Sequence, residues 1–169
     1  MTHFDSHLRA VLDELEISYQ HFTHPAVFST ADVTLLPEKL PGADTKNLFL
    51  RDEKRTHYIL VCVRAESRVD LKRLGQSLGI KGLTFASPED MFSMLKLTPG
   101  SVCLFGLMND TLGRVRGYLD CSLNDEDDMQ NHPLINTASL VLRVGDMRRF
   151  CERVGHPLTT IEIPTRAAL

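Results

Sequence analysis

Residues 47–64 read NLFLRDEKRTHYILVCVR, two apolar runs separated by a charged stretch. In the second run both alternating sets are apolar, Ile59, Val61 and Val63 on one side and Tyr58, Leu60 and Cys62 on the other. Successive side chains of a strand point to opposite faces, so a run that is apolar on both sets is covered from two sides. The charged turn Asp52–Arg55 joins it to the first run as a hairpin, and its second strand is expected at the centre of a sheet. Such a strand needs a layer on each face, which makes the chain a mixed α/β (α+β) protein.

Upstream, Phe4, Leu8, Val11, Leu12 and Leu15 recur at helical spacing and predict a helix over about 5–16 that packs on the sheet. SYQHFTH (18–24) reads as a strand and STADVTLL (29–36) as a short helix capped by Ser29 or Thr30. The Pro/Gly-rich LPEKLPGADT (36–45) then delivers the chain to Lys46. Downstream, DLKRLGQSLG (70–79) has Asp70 as N-cap, a stripe of Leu71, Leu74 and Leu78, Gly79 as its stop, and Lys72 and Arg73 outward. SPEDMFSMLK (87–96) is a helix start, with Ser87 at the cap and Pro88 in first position. TPGSVCLFGLMND (98–110) turns at Pro99-Gly100 and is expected to continue as a strand. NDEDD (124–128) reads as a solvated loop. RVRGYLD (114–120), ASLVLRV (138–144) and TTIEI (159–163) are further strands, and DMRRFCERVG (146–155) is a helix capped by Asp146 and stopped by Gly155. The whole predicts one domain, 1–169, with a central sheet of about six or seven strands and flanking helices.

The 169 residues, 43% hydrophobic and 24% charged, suffice for one domain with a substantial core. No run approaches the roughly 18 to 20 apolar residues of a membrane helix, and MTHFDSHLRA lacks the pattern of a signal peptide, so a soluble cytoplasmic protein is expected. Cys62 and Cys103 lie in apolar runs, as buried reduced thiols do. No cysteines have zinc-ligand spacing and His21 and His24 form an isolated pair, so chemistry without metal or cofactor is expected. The net charge of −3 is uneven: from Lys46 to Lys81 nine basic residues face four acidic ones, so that segment carries +5 and the remainder −8. Such asymmetry suits a surface that touches one end of a polyanion rather than coating it.

Four blocks, TKNLFLRD (45–52), HYILV (57–61), TPGSVCLFGL (98–107) and NHPLINTASL (131–140), stand in the order and spacing of the YbaK/ProX family. These are the stand-alone relatives of the prolyl-tRNA synthetase editing domain, and the chain most resembles the branch that removes alanine from mischarged tRNA-Pro. The resemblance runs from about His21 to Ile163. It implies a barrel-like sheet with flanking helices, and hydrolysis of the ester between an amino acid and the terminal adenosine of tRNA. By the same resemblance Lys46 matches the active-site lysine, Asn47 its neighbour, Gly100 and Ser101 the glycine-led loop, and His132 the residue opening the HPL block. The implied partners are the acceptor end of tRNA-Pro and the prolyl-tRNA synthetase itself.

The chemistry asks little of such an enzyme, because an aminoacyl ester is already activated and the adjacent ribose 2′-OH positions water; placement and charge stabilisation suffice. Lys46, a compact cation with three donors, suits terminal phosphate or ribose oxygens, although a lysine at a strand's start is ordinarily only solvated. Backbone N–H groups at Gly100-Ser101 suit an oxyanion, and His132 suits the ribose or the attacking water. Val27, Phe28 and Leu48 are candidate walls of a pocket that excludes proline by size. Arg68, Lys72 and Arg73 are candidates for acceptor-stem phosphates. One departure stands out: the family's glycine loop commonly reads G-x-x-x-P, and here Leu104 takes the proline's place. Alternatives are serine, threonine or 2-aminobutyrate as the amino acid removed, a non-catalytic module that binds tRNA or a synthetase, and a thiol hydrolase using Cys62 or Cys103.

Overall fold

The chain begins with α1 (Ser6–Glu14) and β1 (Gln20–Thr23), then forms the hairpin of β2 (Thr45–Arg51) and β3 (Tyr58–Arg64). There follow α2 (Leu71–Leu78), a two-residue β4 (Thr84–Phe85), α3 (Pro88–Leu95), a 3-10 helix (Leu104–Asn109), β5 (Val115–Asp120), β6 (Asp128–Asn131), β7 (Ala138–Arg143), α4 (Val144–Arg153) and β8 (Thr159–Ile161). The structure is a computed structural model that describes residues 4–26 and 39–167. The helix expected at 29–36 and the pocket walls Val27 and Phe28 lie outside them.

β3 is central, as its two apolar sets require: it pairs antiparallel with β2 and parallel with β5. Tyr58, Leu60 and Cys62 enter the larger core with Leu8 and Leu12 of α1, Phe105, and Phe150 of α4. Ile59, Val61 and Val63 enter a second core with Leu74 of α2. The helix ends follow their caps. Asp5, Asp70 and Ser87 accept from the N–H groups of Leu8, Arg73 and Asp90, and Gly79 ends α2 in the left-handed conformation.

The α/β class is as expected, but the strands divide into two sheets, ordered β4-β2-β3-β5-β8 and β1-β7-β6, and the described residues form no closed barrel. The sheets meet at one seam. Ala43 N–H donates to Asp128 O (2.7 Å), Gln130 N–H to Ala43 O (3.0 Å), and the Thr45 hydroxyl to Gln130 O (2.7 Å). Gly42, at φ +79°, is what lets the strands approach, since a Cβ there would lie 2.9 Å from Asp128 O.

Three local expectations are corrected. The 98–110 stretch does not continue as a strand; Leu104–Asn109 is a 3-10 helix with Leu104 to Met108 all buried. An apolar run buried on every side carries no period that separates strand from helix. Part of the expected solvated loop is strand β6, which begins at Asp128. Asp146 lies in the first turn of α4 rather than at its cap, which is Arg143. Among the described residues no helix is long and apolar enough to cross a membrane.

Candidate active site

Lys46 sits near the start of β2 opposite Val63, on the face that carries the smaller core and α2. It is half-buried, and burial lowers its pKa, with Glu66 acting to raise it and Arg68 to lower it further. Asp44, just upstream, has its carboxyl pushed up by burial and by Glu66, and drawn down by His132 and Lys39. Charge coupling therefore runs from Lys46 through Glu66 and Asp44 to His132. Asp44 and His132, 88 positions apart in sequence, are brought within electrostatic reach of one another by the seam.

His132 is half-buried, and its Nδ1 lies 3.0 Å from Ala138 O. A carbonyl only accepts, so Nδ1 donates, and in the neutral ring Nε2 keeps its lone pair. Burial lowers the pKa of this ring, the Ala138 bond raises it, and His24 lowers it again. A neutral imidazole with its acceptor nitrogen free of partners among the described residues is the form a general base needs at neutral pH. His24 stands beside it, ring centroids 6.1 Å apart, fixed by Pro25 O at Nδ1 (2.8 Å) and by the Ser139 hydroxyl at Nε2 (2.9 Å).

Asn47 follows Lys46 on the strand and so points to the opposite face, toward the larger core; the two adjacent residues do not line one surface. Its Oδ1 is buried with no hydrogen-bond partner among the described residues. Asn131, on β6 and only 3% exposed, has neither its Oδ1 nor its Nδ2 partnered. Native proteins rarely leave such groups unsatisfied, because each orphan costs about 1–3 kcal/mol. Two of them on the strands that flank the seam mark a place shaped for a polar ligand.

The glycine loop narrows the oxyanion expectation. Ser101 is buried, its N–H donates to Thr98 O (3.1 Å), and its hydroxyl also donates to Thr98 O (2.8 Å). Gly100, at φ +90°, makes no hydrogen bond through its N–H to the described residues, and it alone of the pair retains a donor. Leu104 is fully buried in the larger core, so replacing the family's proline there changes packing and removes no polar group. Leu48 is half-buried against the smaller core, on the same face as Lys46. Arg68, Lys72 and Arg73 are exposed; Lys72 lines a groove along α2 with Lys81 and Arg166. Burial pushes the Cys62 thiol up to about 12 and that of Cys103 to about 11, which removes both as thiolate nucleophiles.

Sequence reasoning passed over Asp44, Asn131 and Ser139, and read His24 only as half of a weak histidine pair. One signal for Asn131 was available: with 128–131 as a strand, Asn131 shares the parity of Met129, which is fully buried.

The aminoacyl-tRNA editing domain model matches residues 24–150. Prolyl-tRNA editing protein ProX of Acetoanaerobium sticklandii is 33% identical over 154 residues, covering 91% of this chain and 94% of that protein. Prolyl-tRNA synthetase associated domain-containing protein 1 of Mus musculus is 33% identical over 159 residues, covering 89% and 94%. A solved structure of a candidate trans-editing enzyme for prolyl tRNA synthetase superposes with TM-score 0.67 at 17% identity, covering 96% of this chain and all of that one, a likeness of fold. The chain belongs to the aminoacyl-tRNA editing domain family.

Proposed function

We propose that the chain is a trans-editing deacylase that hydrolyses the ester of mischarged tRNA, with alanine on tRNA-Pro as its target. The observation that carries this reading is a pinned His132 with its Nε2 open, beside the Oδ1 of Asn47 and the amide of Asn131, which have no partner among the described residues.

In this reading water, held between the ribose 2′-OH and His132 Nε2, attacks the ester carbonyl carbon. His132 takes the proton, the carbonyl oxygen becomes an oxyanion facing the Gly100 N–H, and the C–O bond to the ribose breaks. The proton then passes to the departing 3′-oxygen, giving free amino acid and uncharged tRNA. Lys46 places the terminal phosphate or ribose oxygens; an ammonium losing part of its hydration binds an anion more strongly than a fully solvated one. The Asn131 and Asn47 carbonyl oxygens accept from the substrate's α-ammonium, whose three donors match acceptors left without a partner among the described residues.

Selection of alanine over proline is by size, a tight apolar pocket excluding the pyrrolidine ring sterically. Arg68, Lys72 and Arg73 extend the positive surface from Lys46 toward the acceptor stem, and the prolyl-tRNA synthetase is the partner whose errors this activity corrects. The test is release of labelled amino acid from Ala-tRNA-Pro, Ser-tRNA-Pro and Pro-tRNA-Pro. Rapid release of alanine alone is expected. Release of serine at an equal rate would widen the target, and no release from any of the three would leave a binding module.

A further inference from the structure

At the end of the sheet opposite the seam lies a cleft of about 500 Å³ lined by Arg55, His57, Gly113, Arg114 and Arg116. Two loops build it. β3 and β5 are parallel and in register, Tyr58 beside Val115 and Ile59 beside Arg116, so the loops that precede them come out side by side.

Each loop is pinned by a buried aspartate. The Asp52 carboxylate accepts from the N–H groups of Thr56 (2.7 Å) and His57 (2.9 Å) and from the Thr56 hydroxyl (2.7 Å). Asp110, 2% exposed, accepts from Val115 N–H (2.7 Å). The arginines on these rigid loops differ in their engagement. Arg114 pairs with Asp110 at 3.5 Å and His57 approaches Asp52 at 3.4 Å, but Arg55 and Arg116 make no ion pair among the described residues. Arg55 also holds φ +57°, a conformation in which a non-glycine residue costs about 1–2 kcal/mol and where glycine is the ordinary choice. A turn that keeps an unpaired arginine at this position holds its charge against its own stability.

We propose that this cleft is a second phosphate site, which grips the polynucleotide backbone of the tRNA while its 3′ end lies at Lys46. This rests on the deacylase reading. From the level of Lys46, opposite Val63, to Tyr58 is five strand positions, about 17 Å at strand rise; at about 3.4 Å per nucleotide that is roughly five stacked nucleotides. The ligand chemistry is a phosphodiester presented to two guanidinium groups without an ion pair among the described residues, with Arg114 and His57 also lining the cleft.

The test uses Arg55→Gly and Arg116→Gln, singly and together, with uncharged tRNA-Pro transcript as the probe in fluorescence anisotropy at several salt concentrations. The double variant is expected to bind about tenfold more weakly, with the slope of log K against log salt reduced by about 1–2. Its melting temperature should be unchanged or raised, because glycine relieves the left-handed backbone. Hydrolysis of an alanyl ester on a CCA trinucleotide, too short to reach the cleft, should proceed at the wild-type rate. Unchanged tRNA affinity and salt slope overturn the proposal while leaving deacylation standing. If the wild type has no deacylase activity, the functional reading falls and the anisotropy still decides the cleft. Displacement of the transcript by micromolar inorganic phosphate overturns the backbone assignment in favour of a free phosphate ligand.

Discussion

The two ends of β3 are both polar, and in opposite ways. At the turn end three bonds hold Asp52, the Thr56 hydroxyl foremost keeps its carboxyl well below the usual carboxylate range, and Asp110 has Val115, Arg114 and His156 around it. At the seam end Asn47 Oδ1 and both polar atoms of the Asn131 amide are buried with no partner among the described residues. A saturated buried group stabilises the scaffold; an orphaned one destabilises it and acquires a use only when a ligand arrives. Buried polar side chains thus hold the scaffold at one end and, at the other, are the groups on which the proposed recognition rests.

The largest effect that tests this contrast is Lys46→Ala, expected to lower kcat/KM for Ala-tRNA-Pro by about 10²–10³-fold with little change in the thermal midpoint, since the lysine is only half-buried. A fully active variant would remove Lys46 from the site. Asp110→Ala should do the reverse, costing about 2–4 kcal/mol in urea unfolding and leaving the activity per folded molecule near wild type. Asn131→Leu, which keeps the branched heavy-atom skeleton, should stabilise by about 1–2 kcal/mol, because an amide unpartnered among the described residues gives way to an apolar group, and should lower deacylation about tenfold. A destabilised Asn131→Leu protein would show that the amide has a structural partner and would erase the contrast. The smallest effect is on pH. Protonated His132 cannot accept, and its pKa is lowered from 6.5 chiefly by burial, so kcat/KM should rise with pH through a midpoint below 6.5 and be level above it. The same depressed pKa favours folding at neutral pH, and that contribution is lost as pH falls through it. A midpoint above 6.5 would indicate a different base.

The hairpin, the two-sided strand and the caps at Asp70 and Ser87 were legible because each depends on residues within one element or one turn. Leu104–Asn109 was not, since full burial erases periodicity. The motif residues proposed for the site stood out in the sequence, and how the fold arranges them did not. That Asn47 turns away from Lys46 follows from strand alternation alone, but that Asn131 has no partner among the described residues depends on which groups from distant segments reach it. The division into two sheets was hidden for a similar reason, because local pattern does not say which strand edges remain unpaired.

The seam also sets an order of events. Its bond from Thr45 to Gln130 closes a loop of 85 residues, whereas the β2–β3 hairpin closes across the short turn between Arg51 and Tyr58. Closure entropy grows with loop length and is lost before the contact is gained, so the hairpin forms early and the seam late. A chain whose synthesis has not yet passed β6 can hold Lys46 in a finished hairpin without the seam, so the site proposed there would exist only in molecules that have completed their fold.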